Sequence, residues 1–204
     1  MSNKVEKMDN HNLELWEKVE KTDPNFTKKV SFGRKYTAID AQYQIKEATK
    51  QFGSYGKWGL KNLVYEKLYI GDDILLELRA TFFYPDGEFD LTNSAYLLVK
   101  ARLDTDAYKK IETDTLTKAL SKLGFNADIF LGMYENLDYV NELTGEFTMI
   151  SNTQRVELSK MIQDSKTDLK KFNDSFIIST LSDLPIKEYE RAKAMLQSKL
   201  NKMK

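Results

Sequence analysis

The sequence predicts an α+β fold in which a three-stranded antiparallel meander packs on helices and a small helical module follows. Residues 58–100 contain three runs rich in Leu, Ile, Val, Tyr and Phe, separated by turn signals. Helical patterns, with apolar residues three and four positions apart, lie on both sides of these runs. Because consecutive strands joined by tight turns pair in antiparallel fashion, one meander is expected.

The segment before the strands predicts a tail and two helices. Residues 1–12 are polar and predict a disordered tail, and residues 13–20 predict a short helix stopped by the turn at Pro24. Residues 39–52 predict a longer helix with Tyr43 on its exposed side. Its apolar stripe consists of Ala41, Ile45, Ala48 and Phe52.

The strands are expected near residues 58–70, 73–84 and 89–100. Gly71-Asp72 separates the first two runs, and Pro85-Asp86-Gly87 is a strong hairpin signal between the last two.

A lysine-rich helix follows the strands and ends at Gly124. Lys118 and Lys122 are four residues apart and share one side of this helix. The side expected to pack on the sheet carries Leu116, Ala119, Leu120 and Leu123. The helix also has four hydroxyl residues that we expect to contact phosphate, namely Thr113, Thr115, Thr117 and Ser121.

The chain is expected to divide into a domain over residues 13–147 and a helical module over residues 152–204, which contains three short amphipathic helices. The whole chain has 31 basic and 31 acidic residues. Residues 151–204 hold eleven basic and seven acidic ones, which leaves twenty and twenty-four for residues 1–150. The first domain is therefore mildly acidic, so nucleic-acid binding depends on where its lysines lie.

Composition excludes several chemistries. The chain has no cysteine and one histidine, so a disulfide, a thiolate zinc site and a histidine-based triad are excluded within one chain. We therefore expect a non-enzymatic protein without a cofactor. The expected location is cytoplasmic, because the N-terminus is polar and lacks the apolar stretch of a signal peptide.

Two motifs raise the question of nucleotide binding or of metal-dependent cleavage. The glycine-rich segment with Lys57 differs from a nucleotide phosphate loop, because two residues rather than four separate its glycines and Trp58 follows the lysine. Carboxylates on the strands favour, more weakly, a metal-dependent nuclease. These carboxylates are Asp73 and Glu77, and separately Asp86, Glu88 and Asp90.

Lysines combined with aromatic residues indicate a different function. Lys46 and Lys50 are four apart on one predicted helix, as Lys118 and Lys122 are on another, and Tyr55 and Trp58 follow the first pair. Such pairs commonly form a solvated surface. A basic groove beside stacking aromatics is, however, how proteins hold single strands without sequence preference.

Two segments resemble the Rad fifty-two family of single-strand annealing proteins, most closely its short phage versions. The first is IDAQYQIKEATKQFG followed by KWG, and the second is KARLDTDAYKKIETDTLTKALSKLGF followed by NLDYVNEL. With the intervening meander, the resemblance covers about residues 30–143.

The resemblance implies the family's β-β-β-α core, assembled into rings that hold single-stranded DNA in an outer groove and anneal strands without ATP. Lys118 matches a basic position of the family directly, and Lys122 replaces another. Tyr43 stands where the family has an arginine, and Ser54 where it has an aromatic residue. The expected DNA-binding residues are Lys46, Lys50, Tyr55, Lys57, Lys109, Lys110, Lys118 and Lys122.

The C-terminal module is similar to the tails of phage annealing proteins. This similarity implies docking of a host single-strand-binding protein or a phage exonuclease. The predicted function is thus DNA annealing in phage recombination. The alternative is an accessory protein that uses the same domain to hold a protein partner.

Overall fold

The computed structural model describes residues 11–31 and 36–203, and these confirm a mixed α+β architecture. The predicted tail over residues 1–12 lies outside the described residues except for its last two, which belong to a 3-10 helix, His11–Leu13. The chain divides into two compact units. Of the described residues, the first unit contains 11–22, 26–31 and 36–132, and the second unit contains 23–25 and 133–203.

The first unit begins with α1 (Glu14–Val19), a two-stranded antiparallel sheet of β1 (Thr27–Val30) and β2 (Tyr36–Ile39), and α2 (Ala41–Phe52). Asp40 begins α2 because its carboxylate accepts hydrogen bonds from two backbone amides of the first turn.

The main sheet has four strands rather than the predicted three. Its strands are β3 (Gly59–Ile70), β4 (Asp73–Tyr84), β5 (Gly87–Val99) and β6 (Arg102–Leu103), hydrogen-bonded in that order and antiparallel throughout. The added strand has two residues, too few to show a period-2 pattern, and the turn before it lacks glycine.

The helix α3 (Ala107–Lys122) packs on one face of this sheet, and a short α4 (Ala127–Phe130) follows. Alternating residues of β4 point toward the helices and are buried there. The apolar core between sheet and helices includes Phe52, Trp58, Leu78, Phe82, Leu91, Ile111, Ala119, Leu120 and Phe125.

A chain of buried hydrogen bonds joins α2, α3 and the segments beside α1 and α4. The Thr22 hydroxyl donates to Asp128 (2.6 Å), and the Asn126 amide nitrogen donates to the Thr22 hydroxyl (2.9 Å). The Gln44 amide nitrogen donates to Asn126 (3.0 Å), and the Thr117 hydroxyl donates to Gln44 (2.8 Å). Since buried polar groups without partners are costly, this chain fixes α2 against α3.

The second unit is helical, with α5 (Leu137–Phe147), α6 (Asn152–Asp164), α7 (Leu169–Phe176) and α8 (Tyr189–Lys202). Its core includes Leu158, Phe172, Leu184, Ala192 and Leu196. The division between the units falls between Gly132 and Met133, whereas the predicted first domain ends at residue 147. Helix α5 belongs to the second unit because the segment after it pairs with the chain before α8, where the Ile186 amide donates to the Thr148 carbonyl (2.7 Å).

The Tyr65 hydroxyl ties β3 to α3 and provides a pH test of the fold. It hydrogen-bonds the Glu112 carboxylate, and burial, followed by this bond, raises the pKa of Tyr65 from 10.0 to about 12. The pKa is higher in the folded state, so this stabilisation is complete below pH 10 and is lost as the pH rises through 12. We expect Tyr65→Phe to remove this part of the alkaline loss of stability, as measured by urea unfolding at pH 9, 10 and 11. An identical pH dependence in both proteins would contradict the assignment.

Candidate nucleic-acid interface

Lys118 and Lys122 lie together beside β5. Both side chains are exposed, and the Lys118 Nζ donates to the backbone carbonyl of Thr92 (3.2 Å). The Lys122 Nζ is 5.9 Å from the ring centre of Phe89. Because Thr92 and Phe89 are both on β5, the two ammonium groups border one strand.

The opposite side of α3 anchors these lysines. Ala119 and Leu120 are fully buried, and Leu116 and Leu123 are partly buried against the same core. The predicted apolar side of the helix is therefore the packed side. A rigid, buried helix face holds Lys118 in a fixed position relative to β5.

The hydroxyl groups of α3 do not behave as expected. Thr115 is fully buried, so its predicted phosphate contact is wrong. The other hydroxyls already donate within the protein: Thr113 to the Lys109 carbonyl, Thr117 to Gln44, and Ser121 to the Lys118 carbonyl. The hydroxyls of Thr113 and Ser121 close back on their own helix and satisfy helical carbonyls rather than a ligand, and that of Thr117 is engaged by α2.

An acidic residue interrupts the lysine side of α3. Asp114 is one helical turn before Lys118, on the same side of the helix. Burial raises the pKa of its carboxyl group. Asp114 was not predicted as part of this surface, although its spacing of four from Lys118 is visible in the sequence.

The lysines of α2 lie in a different setting. The Lys50 Nζ pairs with Glu47 (2.7 Å), and the Lys46 Nζ is 5.7 Å from the ring centre of Phe26. Tyr43, expected on the exposed side, is buried and stacks on Phe26 with ring centres 4.6 Å apart. This expectation failed because the stacking partner comes from a segment distant in sequence. The described contacts do not join the α2 lysines to those of α3.

The turn between α2 and β3 presents one aromatic ring rather than two. Trp58 is completely buried, and its indole nitrogen donates to the Gly53 carbonyl (3.0 Å). Tyr55 is 62% exposed and sits edge-on to Trp58, with ring centres 5.1 Å apart. Lys57 beside it is exposed. Tyr55 is therefore accessible to a base, and Trp58 is a core residue.

Lys109 and Lys110 occupy the first turn of α3, both exposed. Lys110 pairs with Asp104 (2.7 Å), and their hydrogen bond raises the pKa of Lys110 and lowers that of Asp104. The charge of Lys110 is thus partly offset, whereas no such partner is described for Lys109.

The carboxylates of the nuclease alternative are dispersed. Asp73 accepts a hydrogen bond from the backbone amide of Lys100 (2.8 Å), and Asp90 accepts one from the Thr81 hydroxyl (2.8 Å). Glu88 pairs with Lys61. Within residues 11–31 and 36–203, no three acidic or histidine side chains are arranged to hold a metal ion.

The second unit has a separate groove of about 450 Å³ between α7 and α8. Its floor is apolar, with Phe172, Met195 and Leu196. Its rim carries the ammonium groups of Lys171, Lys199 and Lys202. The Lys199 Nζ donates to the Thr167 hydroxyl (3.0 Å), which fixes one of the three charges.

No protein-family model matches the chain, and no curated protein is significantly similar to it in sequence. None of the described helices combines the length and the apolar character that crossing a membrane requires.

Proposed function

We propose that this protein binds single-stranded DNA and anneals complementary strands without ATP, in phage homologous recombination in a bacterial host. The observation that carries the proposal is the pair Lys118 and Lys122, held beside β5 by a helix whose other side is buried. Two ammonium groups along an open surface neutralise phosphates without reading base edges. Neutralisation lets two polyanionic strands approach each other, which is the physical requirement for annealing.

Salt dependence separates this function from the accessory-protein alternative. Binding of labelled oligo(dT) should weaken steeply between 50 and 200 mM salt, because binding releases counterions from the strand. An apolar protein interface lacks this dependence. If oligo(dT) does not bind at 50 mM salt, the proposal fails. Magnesium-dependent shortening of the oligonucleotide would favour the nuclease instead.

Self-association into a ring is part of the proposal, and the outer face of the sheet supports it. Val64, Leu68 and Ile70 alternate along β3 with exposed side chains, on the face opposite α3. In the described sheet β3 is also an edge strand, and it pairs only with β4. Exposed apolar residues on an open edge are a template for pairing with another chain.

Replacing Leu68 and Ile70 with lysine should therefore lower the assembled mass toward the 23.7 kDa of one chain. Light scattering after size-exclusion chromatography measures this. Ser94→Lys, an exposed change on the same face, is the matched control and should keep the assembly. Equal masses for all three proteins would rule out this face as the interface.

For the groove between α7 and α8, the proposed ligand is an acidic peptide with an apolar side chain, supplied by a host single-strand-binding protein. The three rim lysines complement carboxylates, and the floor accepts the apolar group. Met195→Glu should abolish binding of such a peptide, as measured by fluorescence anisotropy, without changing oligo(dT) affinity. Binding of a phage exonuclease in its place would reassign the partner.

A further inference from the structure

A second groove, of about 630 Å³, lies at the far end of β5. Its volume is within the range of roughly 300–1,000 Å³ that ligand sites occupy. The lining comes from the end of β5, the turn that follows, β6 and the start of α3. The lining residues that matter are Tyr96, Lys100, Arg102, Leu103, Asp104 and Lys110.

The groove has an excess of positive charge. Asp104 is its one acidic lining residue, and this carboxylate is already engaged by Lys110. The side chains of Lys100 and Arg102 form no hydrogen bond or close ion pair among the described residues. The charge of Arg102 contributes, after the hydrogen bonds and Lys110, to lowering the pKa of Asp104. Two cations are therefore available to an anionic ligand, and one of them is a guanidinium that can bind phosphate through two parallel hydrogen bonds.

The groove also offers a stacking surface. Tyr96 is 53% exposed and Leu103 is 59% exposed, so an aromatic ring and an aliphatic side chain lie open beside the two cations. Aromatic rings next to basic groups are the elements that hold unpaired bases and their phosphates. A duplex buries its base faces, so this combination fits a single strand better than a duplex.

The backbone at the groove is held in an unfavourable conformation. Lys100 and Ala101 both have left-handed φ values, 48° and 63°, although neither is glycine. The turn persists because Val99 pairs with Arg102 and the Lys100 amide donates to Asp73 (2.8 Å). Two-residue hairpin loops commonly require such φ values, and this loop places Lys100 and Arg102 at the groove.

The groove and the α3 lysines border the same strand. Lys118 reaches β5 at Thr92, and the groove begins at Tyr96 and Val99. Thr92 and Val99 are seven residues apart, or about 24 Å at the rise of an antiparallel strand. At about 3.4 Å per stacked nucleotide, that distance corresponds to about seven nucleotides.

We infer that this groove is a second contact for the same DNA strand, with a base stacked on Tyr96 and phosphates at Lys100 and Arg102. The inference rests on the proposed function and extends it. It defines a path for the DNA along β5, from the α3 lysines to the groove. It also sets the minimum length of DNA that can reach both basic sites.

Two variants test the inference: Tyr96→Ala, and Lys100→Gln combined with Arg102→Gln. Each should weaken oligo(dT) binding about tenfold, and the double variant should lower the slope of log K against log salt by about 1.4. Tyr96→Phe should bind as the unaltered protein does. On an abasic oligonucleotide, Tyr96→Ala should have no effect, because no base remains to stack.

The outcomes separate the inference from the proposed function. If the unaltered protein does not bind oligo(dT), the proposed function fails and the inference fails with it. If the protein binds and the groove variants bind equally well, the inference alone is overturned. Unchanged DNA binding with loss of poly-glutamate binding would overturn it in favour of an acidic peptide. All the altered residues are exposed, and circular dichroism confirms that each variant is folded.

Discussion

Replacing Lys118 and Lys122 together with glutamine should lower the affinity for oligo(dT) about tenfold at 0.1 M salt and should flatten its salt dependence. Each phosphate contact with a single strand contributes about 0.7 to the slope of log K against log salt, so two lost contacts should reduce the slope by about 1.4. Glutamine keeps much of the aliphatic stem, which limits the change to the charge. Fluorescence anisotropy at four salt concentrations measures both quantities.

The matched control removes two exposed lysines from the second unit, Lys160 and Lys170. This variant has the same change in net charge, so an effect of overall charge would appear in both proteins. An effect of position would appear only in the α3 variant. If both variants show the same affinity and the same slope, the assignment of α3 is wrong.

Gly124→Ala should reduce the free energy of unfolding by about 2–4 kcal/mol. Gly124 has a φ of 94°, and a Cβ added there would lie 2.6 Å from the indole ring of Trp16. Alanine therefore meets both an unfavourable backbone conformation and a ring that belongs to a packed helix. We expect urea unfolding to show a lower midpoint with an unchanged slope.

Gly56→Ala is the control for this prediction. Its φ is 102°, close to that of Gly124, but no heavy atom lies within 4 Å of an added Cβ. It should cost about 1 kcal/mol, from backbone conformation alone. Equal losses in the two variants would mean that Trp16 does not close over Gly124.

The elements found from the sequence are those with strong local signals. Alternating apolar runs and glycine-containing turns predicted β3, β4 and β5, and the apolar stripe of α2 predicted that helix. The strand β6 was missed because its turn, Lys100 and Ala101, adopts a conformation that favours glycine or asparagine.

Contacts between segments that are distant in sequence could not be predicted from local patterns. Tyr43 has a position typical of an exposed residue, and it is buried because Phe26 stacks on it. The hydroxyl of Thr117 has a partner on α2, Gln44, which no local pattern indicates. Tyr96 and Arg102 are unremarkable in sequence and come together only when β5 pairs with β6.

The most direct test of the proposed function is annealing itself. Two complementary labelled oligonucleotides, mixed with the protein without ATP, should pair faster than they do alone at 50 mM salt. This acceleration should largely disappear at 300 mM salt and in the variant that lacks Lys118 and Lys122. A folded, oligomeric protein that leaves the pairing rate unchanged at 50 mM salt would contradict the proposed function.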